Sequence, residues 1–259
     1  MCLIFFSYKI HPNYRLILAA NRDEFYNRPT APLDFWADHP DVLAGRDLKG
    51  NGTWLGVTRT GRIAAITNFR EPDAQIEKAP SRGVLIRDYL TANSAPPHYL
   101  NEVRKIGHTY NGFNLITGDA DGLFYYSSRA TQVHELKPGL YGVSNHLLDT
   151  SWPKVKNGKA RLQGQLNGKE KIDPEKIFEI LSDSSMPTDD ELPDTGVGLQ
   201  WERILSPLFI TSSEYGTRSS SIVLIATSGQ VTIMERTFFK TGNEIKKGET
   251  RKYSFMINH

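Results

Sequence analysis

The chain has 259 residues, 31 basic and 29 acidic side chains, 39% hydrophobic and 10% aromatic residues. That composition supplies a sizeable core, and the near-zero charge gives no bulk attraction to nucleic acid or to a membrane surface. No apolar run approaches the ~20 residues of a membrane span. A single cysteine excludes an intrachain disulfide. Leu3 to Phe6 is too short for a signal-peptide core and has no basic segment before it. The expectation is one domain over residues 1–259 in the cytoplasm.

In chain order, Cys2 to Tyr8 reads as a strand, His11-Pro12-Asn13 as a turn, and Tyr14 to Ala20 as a second strand. Both strands are apolar on both faces, as in a sheet covered on each side. The hairpin carries Asn21-Arg22-Asp23-Glu24 at its end, which in an antiparallel pair falls close to Cys2. Arg28 to Pro32 reads as extended or turn. Gly45 to Trp54 reads as a loop, because it holds three glycines in ten residues. Trp54 to Thr58 and Arg62 to Asn68 form a hairpin around Thr60-Gly61. The spacing predicts a helix over Ser81 to Ala92, capped by Ser81, with Val84, Leu85, Tyr89 and Leu90 inward. Another is predicted over Pro97 to Gly107, with Leu100, Val103 and Ile106 inward. Strands return at Phe113 to Thr117, Leu123 to Ser128 and Tyr141 to Asn145. Lys154 to Leu166 reads as helical. Asp173-Pro174 opens a further helix with a cap and a first-turn proline, and Ile177, Phe178 and Leu181 face inward. Met186 to Gly198, acidic with two prolines and two glycines, reads as a mobile surface loop. Ser219 to Ala226 and Gln230 to Phe238 form a last hairpin, and Lys252 to Ile257 an edge strand. Strands alternating with paired helices predict one layered domain around a largely antiparallel sheet core.

Cys2 directly follows the initiator methionine. A residue as small as cysteine at this position normally permits methionine removal. Cys2 would then carry a thiol and a free α-amine on one carbon, and an N-terminal amine can act as base toward its own side chain. A thiolate attacking a carbonyl needs donors aimed at the developing oxyanion, which asparagine amides and backbone N–H groups supply. An acceptor such as Asp23 would hold the amine, and a nearby arginine would favour the thiolate or bind an acidic substrate group. Polar residues end three strands that otherwise read as buried, at Asn21 to Glu24, Asn68 and Asn145. The bland reading stands beside this: an ordinary buried cysteine in a first strand and asparagines in turns.

The Asn21-Arg22-Asp23-Glu24 run, followed by Phe25 and Arg28-Pro29, resembles the signature of the NRDE family, also called the transport and Golgi organisation family. Ala44-Gly45-Arg46-Asp47, Gly52 to Gly56, Thr67-Asn68-Phe69-Arg70, Gly142 to Asn145 and Tyr215 to Ser220 match its further blocks. That family resembles N-terminal nucleophile (Ntn) hydrolases, especially the penicillin V acylase and bile salt hydrolase group. The resemblance implies an α+β fold, a four-layer αββα sandwich, and amide hydrolysis by an N-terminal cysteine. Cys2 matches the nucleophile, Asp23 the aspartate that binds the α-amine, and Asn68 and Asn145 the two asparagines around the oxyanion. The acylases carry an arginine three residues before that aspartate, where this chain has Ala20. Arg22 is adjacent to Asp23, and adjacent strand residues point to opposite faces. Arg22 is therefore not expected to face the thiol without a bulge, which leaves Arg28 or Arg218 to take that place.

The expected activity is cleavage of a linear, non-peptide amide in a small acylated substrate, with no metal or organic cofactor. The alternative is a non-catalytic carrier for haem or an acyl thioester. The histidines lack metal-ligand spacing such as His-Glu-x-x-His. The Gly45 to Gly56 loop lacks a phosphate-loop ending and reads as structural, with Trp54 in the core. Lys246-Lys247 and Arg251-Lys252 read as a solvated basic tail.

Overall fold

The structure, a computed structural model, describes residues 2–242 and 244–258. The first hairpin is β1 (Cys2–Tyr8) and β2 (Tyr14–Phe25). The next strands are β3 (Thr30–Phe35), β4 (Val42–Asp47), β5 (Leu55–Thr58) and β6 (Ile63–Asn68). Helices α1 (Gly83–Thr91) and α2 (Pro96–Ile106) precede β7 (Phe113–Gly118), β8 (Leu123–Ser127), β9 (His134–Glu135) and β10 (Gly139–Val143). Helices α3 (Pro153–Leu166), α4 (Pro174–Leu181) and α5 (Leu199–Leu205) then lead to β11 (Tyr215–Ala226), β12 (Gln230–Thr241) and β13 (Glu244–Met256).

Every strand pairing is antiparallel. One sheet runs β10-β1-β2-β11-β12-β13 and the other β3-β4-β5-β6-β7-β8-β9. Period-two alternation sorts β1 into two cores. Ile4 and Phe6 join Leu18 and Ala20 in the core that meets the second sheet, while Leu3 and Phe5 join Ile17, Val155, Leu162, Phe178 and Leu181 under α3 and α4. On the far side, α1 and α2 cover β4 to β8 through Leu85, Ile86, Tyr89, Leu90, Leu100 and Val103. The layers are helix, sheet, sheet, helix: an αββα sandwich, as the resemblance implies. No helix among the described residues is long and apolar enough to cross a membrane.

Several local expectations change. The hairpin's second strand carries on through Asn21 to Phe25, because β11 supplies pairing partners for all of them. Gly45 to Asp47 lie in a strand, not a loop. A side chain at Gly45 would meet the Trp54 ring at 2.4 Å, so this glycine serves close packing and not a turn. Ser81 does not cap α1; Arg82 takes the flanking position with no side-chain cap. Ile106 is exposed at the end of α2. Asp173 does cap α4, accepting from the Glu175 N–H at 3.0 Å. The acidic 186–198 stretch is mostly exposed, yet Thr195 binds Glu202 through both its N–H and its hydroxyl. Helix α5, short and with Leu199 and Trp201 exposed, left no periodic signal to read.

Gly158 lets α3 approach the sheet, since a Cβ there would lie 2.0 Å from the buried Phe5 ring. Gly158→Val is expected to cost roughly 1–3 kcal/mol by overpacking. In a chain of this size that lowers Tm by about 2–12 °C in a calorimetric scan.

Candidate active site

The block Asn21-Arg22-Asp23-Glu24 is extended, so its members alternate between faces. Asn21 faces the helices. Its amide donates to the carbonyls of Leu181 and Leu208 at 2.8 Å each, and its carbonyl accepts from Ser220 at 2.6 Å. It ties the end of α4 to the sheet and has no place in the cavity. Asp23 faces the same way and accepts from the Thr217 hydroxyl at 2.7 Å, while the Tyr215 hydroxyl donates to its main-chain carbonyl.

The register pairs Cys2 with Arg22. Directly opposed residues share a face, so Arg22 lies on the sulfur's side of the sheet, contrary to the expectation drawn from its neighbour Asp23. It is Asp23 that points away, one residue beyond Cys2's partner, at the end of β1 where the Cys2 backbone nitrogen sits. The Arg22 guanidinium stacks on Trp54, just ahead of β5 of the other sheet, at 4.2 Å and donates to Thr30 at 3.3 Å. Trp54 is thus both core and wall.

A cavity of about 370 Å³ opens at this end of the sandwich, with Cys2, Arg22, Asp23, Trp54, Asn68 and Arg82 in its wall. Asn145 stands behind it, fully buried, its amide donating to the Asn68 carbonyl at 3.0 Å. Arg70 steadies Asn145 in turn: its main-chain N–H donates to the Asn145 main-chain carbonyl at 2.7 Å, and its guanidinium reaches the Asn145 side-chain carbonyl at 3.5 Å and pairs with Glu202 at 2.5 Å. Cys2, Asp23 and Asn68, drawn from three strands, therefore meet at one cavity, with Asn145 behind it. Arg28 is on the rim, bound to Asp47 at 2.7 Å. Arg218 is not in this cavity. It sits in the bulge between Thr217 and Ser219, and its guanidinium donates to the carbonyls of Phe25, Tyr26 and Arg28.

Burial pushes the Cys2 thiol above its ordinary value, with Asp23 adding to the rise and Arg22 opposing it. The resting group is a thiol, and attack needs a base. Burial likewise raises the Asp23 carboxyl, against Lys154, Thr217 and Arg22. Two cations escaped the sequence reading. Arg82 lies in the cavity wall and donates to the Gly112 carbonyl at 2.9 Å. Burial lowers its pKa, and the charges of Cys2 and Glu24 oppose that. The sequence gives no signal for it beyond a position ahead of a helix. Lys154 is buried behind Asp23 and donates to the Leu205 carbonyl at 2.8 Å. A signal existed there: Lys154 shares the four-residue stripe of Gly158, Leu162 and Leu166 on the buried side of α3.

Burial depresses Lys154 from 10.5 to about 7, helped by Arg70 and opposed by Asp23 and Glu202. The folded state therefore binds fewer protons than the unfolded chain above pH 7. The penalty is full below about pH 7 and is relieved as pH rises toward the unfolded value. Unfolding free energy from denaturant titration is expected to rise by on the order of 2 kcal/mol between about pH 7 and 8.5. Lys154→Met should flatten that rise; an identical slope in the variant would refute this account.

The model of the Transport and Golgi organisation 2 family matches residues 1–240. A "Transport and Golgi organization 2 homolog" of Mus musculus is 36% identical over 277 residues, covering 99% of this chain and 99% of its own. The corresponding Homo sapiens protein is also 36% identical over 277 residues, again covering 99% of each chain. Among solved structures, the "Caenorhabditis elegans N-acylethanolamine-hydrolyzing acid amidase (NAAA) ortholog" matches 86% of this chain and 92% of that one, at 14% identity and a TM-score of 0.49. Blocks dispersed from Cys2 to the bulge at Arg218 converge on one end of the sandwich, and the match runs nearly the whole length of its relatives: the chain belongs to the Transport and Golgi organisation 2 family.

Proposed function

We propose that the protein is an N-terminal cysteine amidohydrolase acting on a linear, non-peptide amide of a small acylated molecule. One observation carries the reading: the sulfur-bearing end of β1 opens into a cavity whose wall also holds Asp23, Arg22 and Asn68. With Met1 removed, the α-amine takes the thiol proton, directly or through a water, and Asp23 holds the amine in place. The sulfur attacks the carbonyl carbon, and the Asn68 amide with a backbone N–H stabilises the oxyanion. Asn145 acts through Asn68, as a positioning residue. Arg22 and Arg82 favour the thiolate, and Arg218 acts only indirectly, by holding the 25–28 turn. Collapse expels the amine, which takes the proton from the α-ammonium. Water then cleaves the thioester, giving a carboxylic acid and restoring the thiol. Met1, whose removal the mechanism requires, lies outside the described residues.

Intact mass tests the first step, and retained Met1 ends the proposal. The processed protein is then incubated with p-nitrophenyl acetate and digested. An acetyl group on the Cys2 peptide, lost on dilution into fresh buffer, is the expected result. Slow labelling by iodoacetamide with no acyl transfer, or a co-purifying coloured or acyl ligand, would favour the carrier.

A further inference from the structure

The cross-strand register places Cys2 opposite Arg22, Arg22 opposite Ser219, and Ser219 opposite Thr237. Opposed residues project from one face, so these four form a row across β1, β2, β11 and β12, turned toward the other sheet. The Arg22–Trp54 stack stands in that row as a partition. On its far side is a second cavity of about 220 Å³, and both partition residues line both cavities. The second cavity has aromatic and apolar walls from Phe238, Phe239, Pro32 and Trp54. Its polar wall holds Arg22, Arg218, Ser219 and Glu235.

The charge in this cavity is unbalanced. Arg22 is only 5% exposed. Among the described residues, neither Arg22 nor Arg218 makes an ion pair with a carboxylate. Arg218 gives one nitrogen to three main-chain carbonyls, which bind it without neutralising it. Glu235 is the one carboxyl in the wall, 3% exposed, with one oxygen taken by the Leu33 N–H at 2.8 Å. Burial raises its pKa, which weakens it as a counter-charge even though Arg22 opposes the rise. Two guanidiniums against one reluctant carboxyl call for an anion from outside.

We propose that this second cavity is a subsite for a carboxylate at the far end of a linear acyl substrate whose carbonyl is attacked at Cys2. The proposal rests on the nucleophile reading above and names its substrate class. Ser219 lies two strand spacings from Cys2, about 10 Å. That is the span of about three extended residues, or some nine bonds of a linear chain. A dicarboxylic monoamide of about ten carbons has that length, and its far end enters the second cavity when the Arg22–Trp54 stack parts to admit the chain.

The test uses three p-nitrophenyl esters: the monoester of decanedioic acid, the decanoate and the acetate. Acylation of Cys2 is followed by nitrophenol release and intact mass. The expected result is a rate for the decanedioate ester roughly 10-fold above the decanoate, the scale of one charge-assisted hydrogen bond. Arg218→Gln and Thr237→Glu should each bring the ratio to about 1. Thr237→Glu touches none of the bonds that hold the 25–28 turn, and reading a ratio within each variant cancels general losses. Equal wild-type rates would make the cavity an apolar tail site and overturn the proposal, as would a preference that survives both substitutions. If no ester, acetate included, acylates Cys2, the nucleophile reading fails separately. Calorimetric titration of decanedioate then reads the subsite alone. Binding abolished by Thr237→Glu supports it, and absence of binding overturns it.

Discussion

Cys2→Ala is expected to reduce turnover of p-nitrophenyl acetate by roughly 10⁴-fold or more, the order lost when a nucleophile is removed. The change deletes one sulfur from a partly buried position, so Tm should move by only a few degrees. A purified form that keeps Met1 should be as inactive as the variant, because its thiol has no α-amine to take the proton. Burial makes this dependence sharp: the Cys2 thiol is pushed up, so little thiolate is present at neutral pH without a base. Asn68→Ala should cost about 10²–10³-fold in kcat, as for one oxyanion donor. Equal turnover by Cys2→Ala and the processed wild type would end the enzymatic reading and leave the family fold untouched.

Glu202→Leu is expected to give the largest loss of stability. Arg70 and Glu202 are both buried, 2.5 Å apart. Removing one partner strands a charge in low dielectric, at about 3–5 kcal/mol, or roughly 6–20 °C in Tm. The double change Arg70→Met with Glu202→Leu should recover most of that loss, because two apolar side chains leave no uncompensated charge. The pair also bears on the site. The Arg70 guanidinium reaches the side-chain carbonyl of Asn145 at 3.5 Å, a contact that Arg70→Met removes, and the Asn145 amide holds the Asn68 carbonyl. The recovered double variant should therefore regain Tm more fully than it regains Cys2 acylation. Parallel recovery of both would assign Arg70 to stability alone.

Legibility differed from residue to residue. The continuous apolar runs of Cys2 to Tyr8 and Tyr14 to Ala20, with the turn at His11 to Asn13 between them, gave the first hairpin, and antiparallel geometry put the polar block beside Cys2. Asp173-Pro174 announced α4 because capping is local chemistry. The glycines near Trp54 misled, since a glycine that serves close packing looks the same in sequence as one that serves a turn. Arg82 sits at the start of a helix whose spacing marks only its inward face, Glu202 lies in a short helix with no period to read, and Lys154 was visible only as a charge on a buried stripe.

By itself the sequence determined the hairpin, the sheet-rich layered architecture, and a cysteine at the strand end next to a carboxylate. Only the tertiary structure decided which neighbour shares the sulfur's face. Side chains repeat every two residues along a strand, so a register shift of one exchanges Arg22 for Asp23 at the thiol. That register is fixed by β11 and by packing between the two sheets, contacts made across nearly 200 residues of chain.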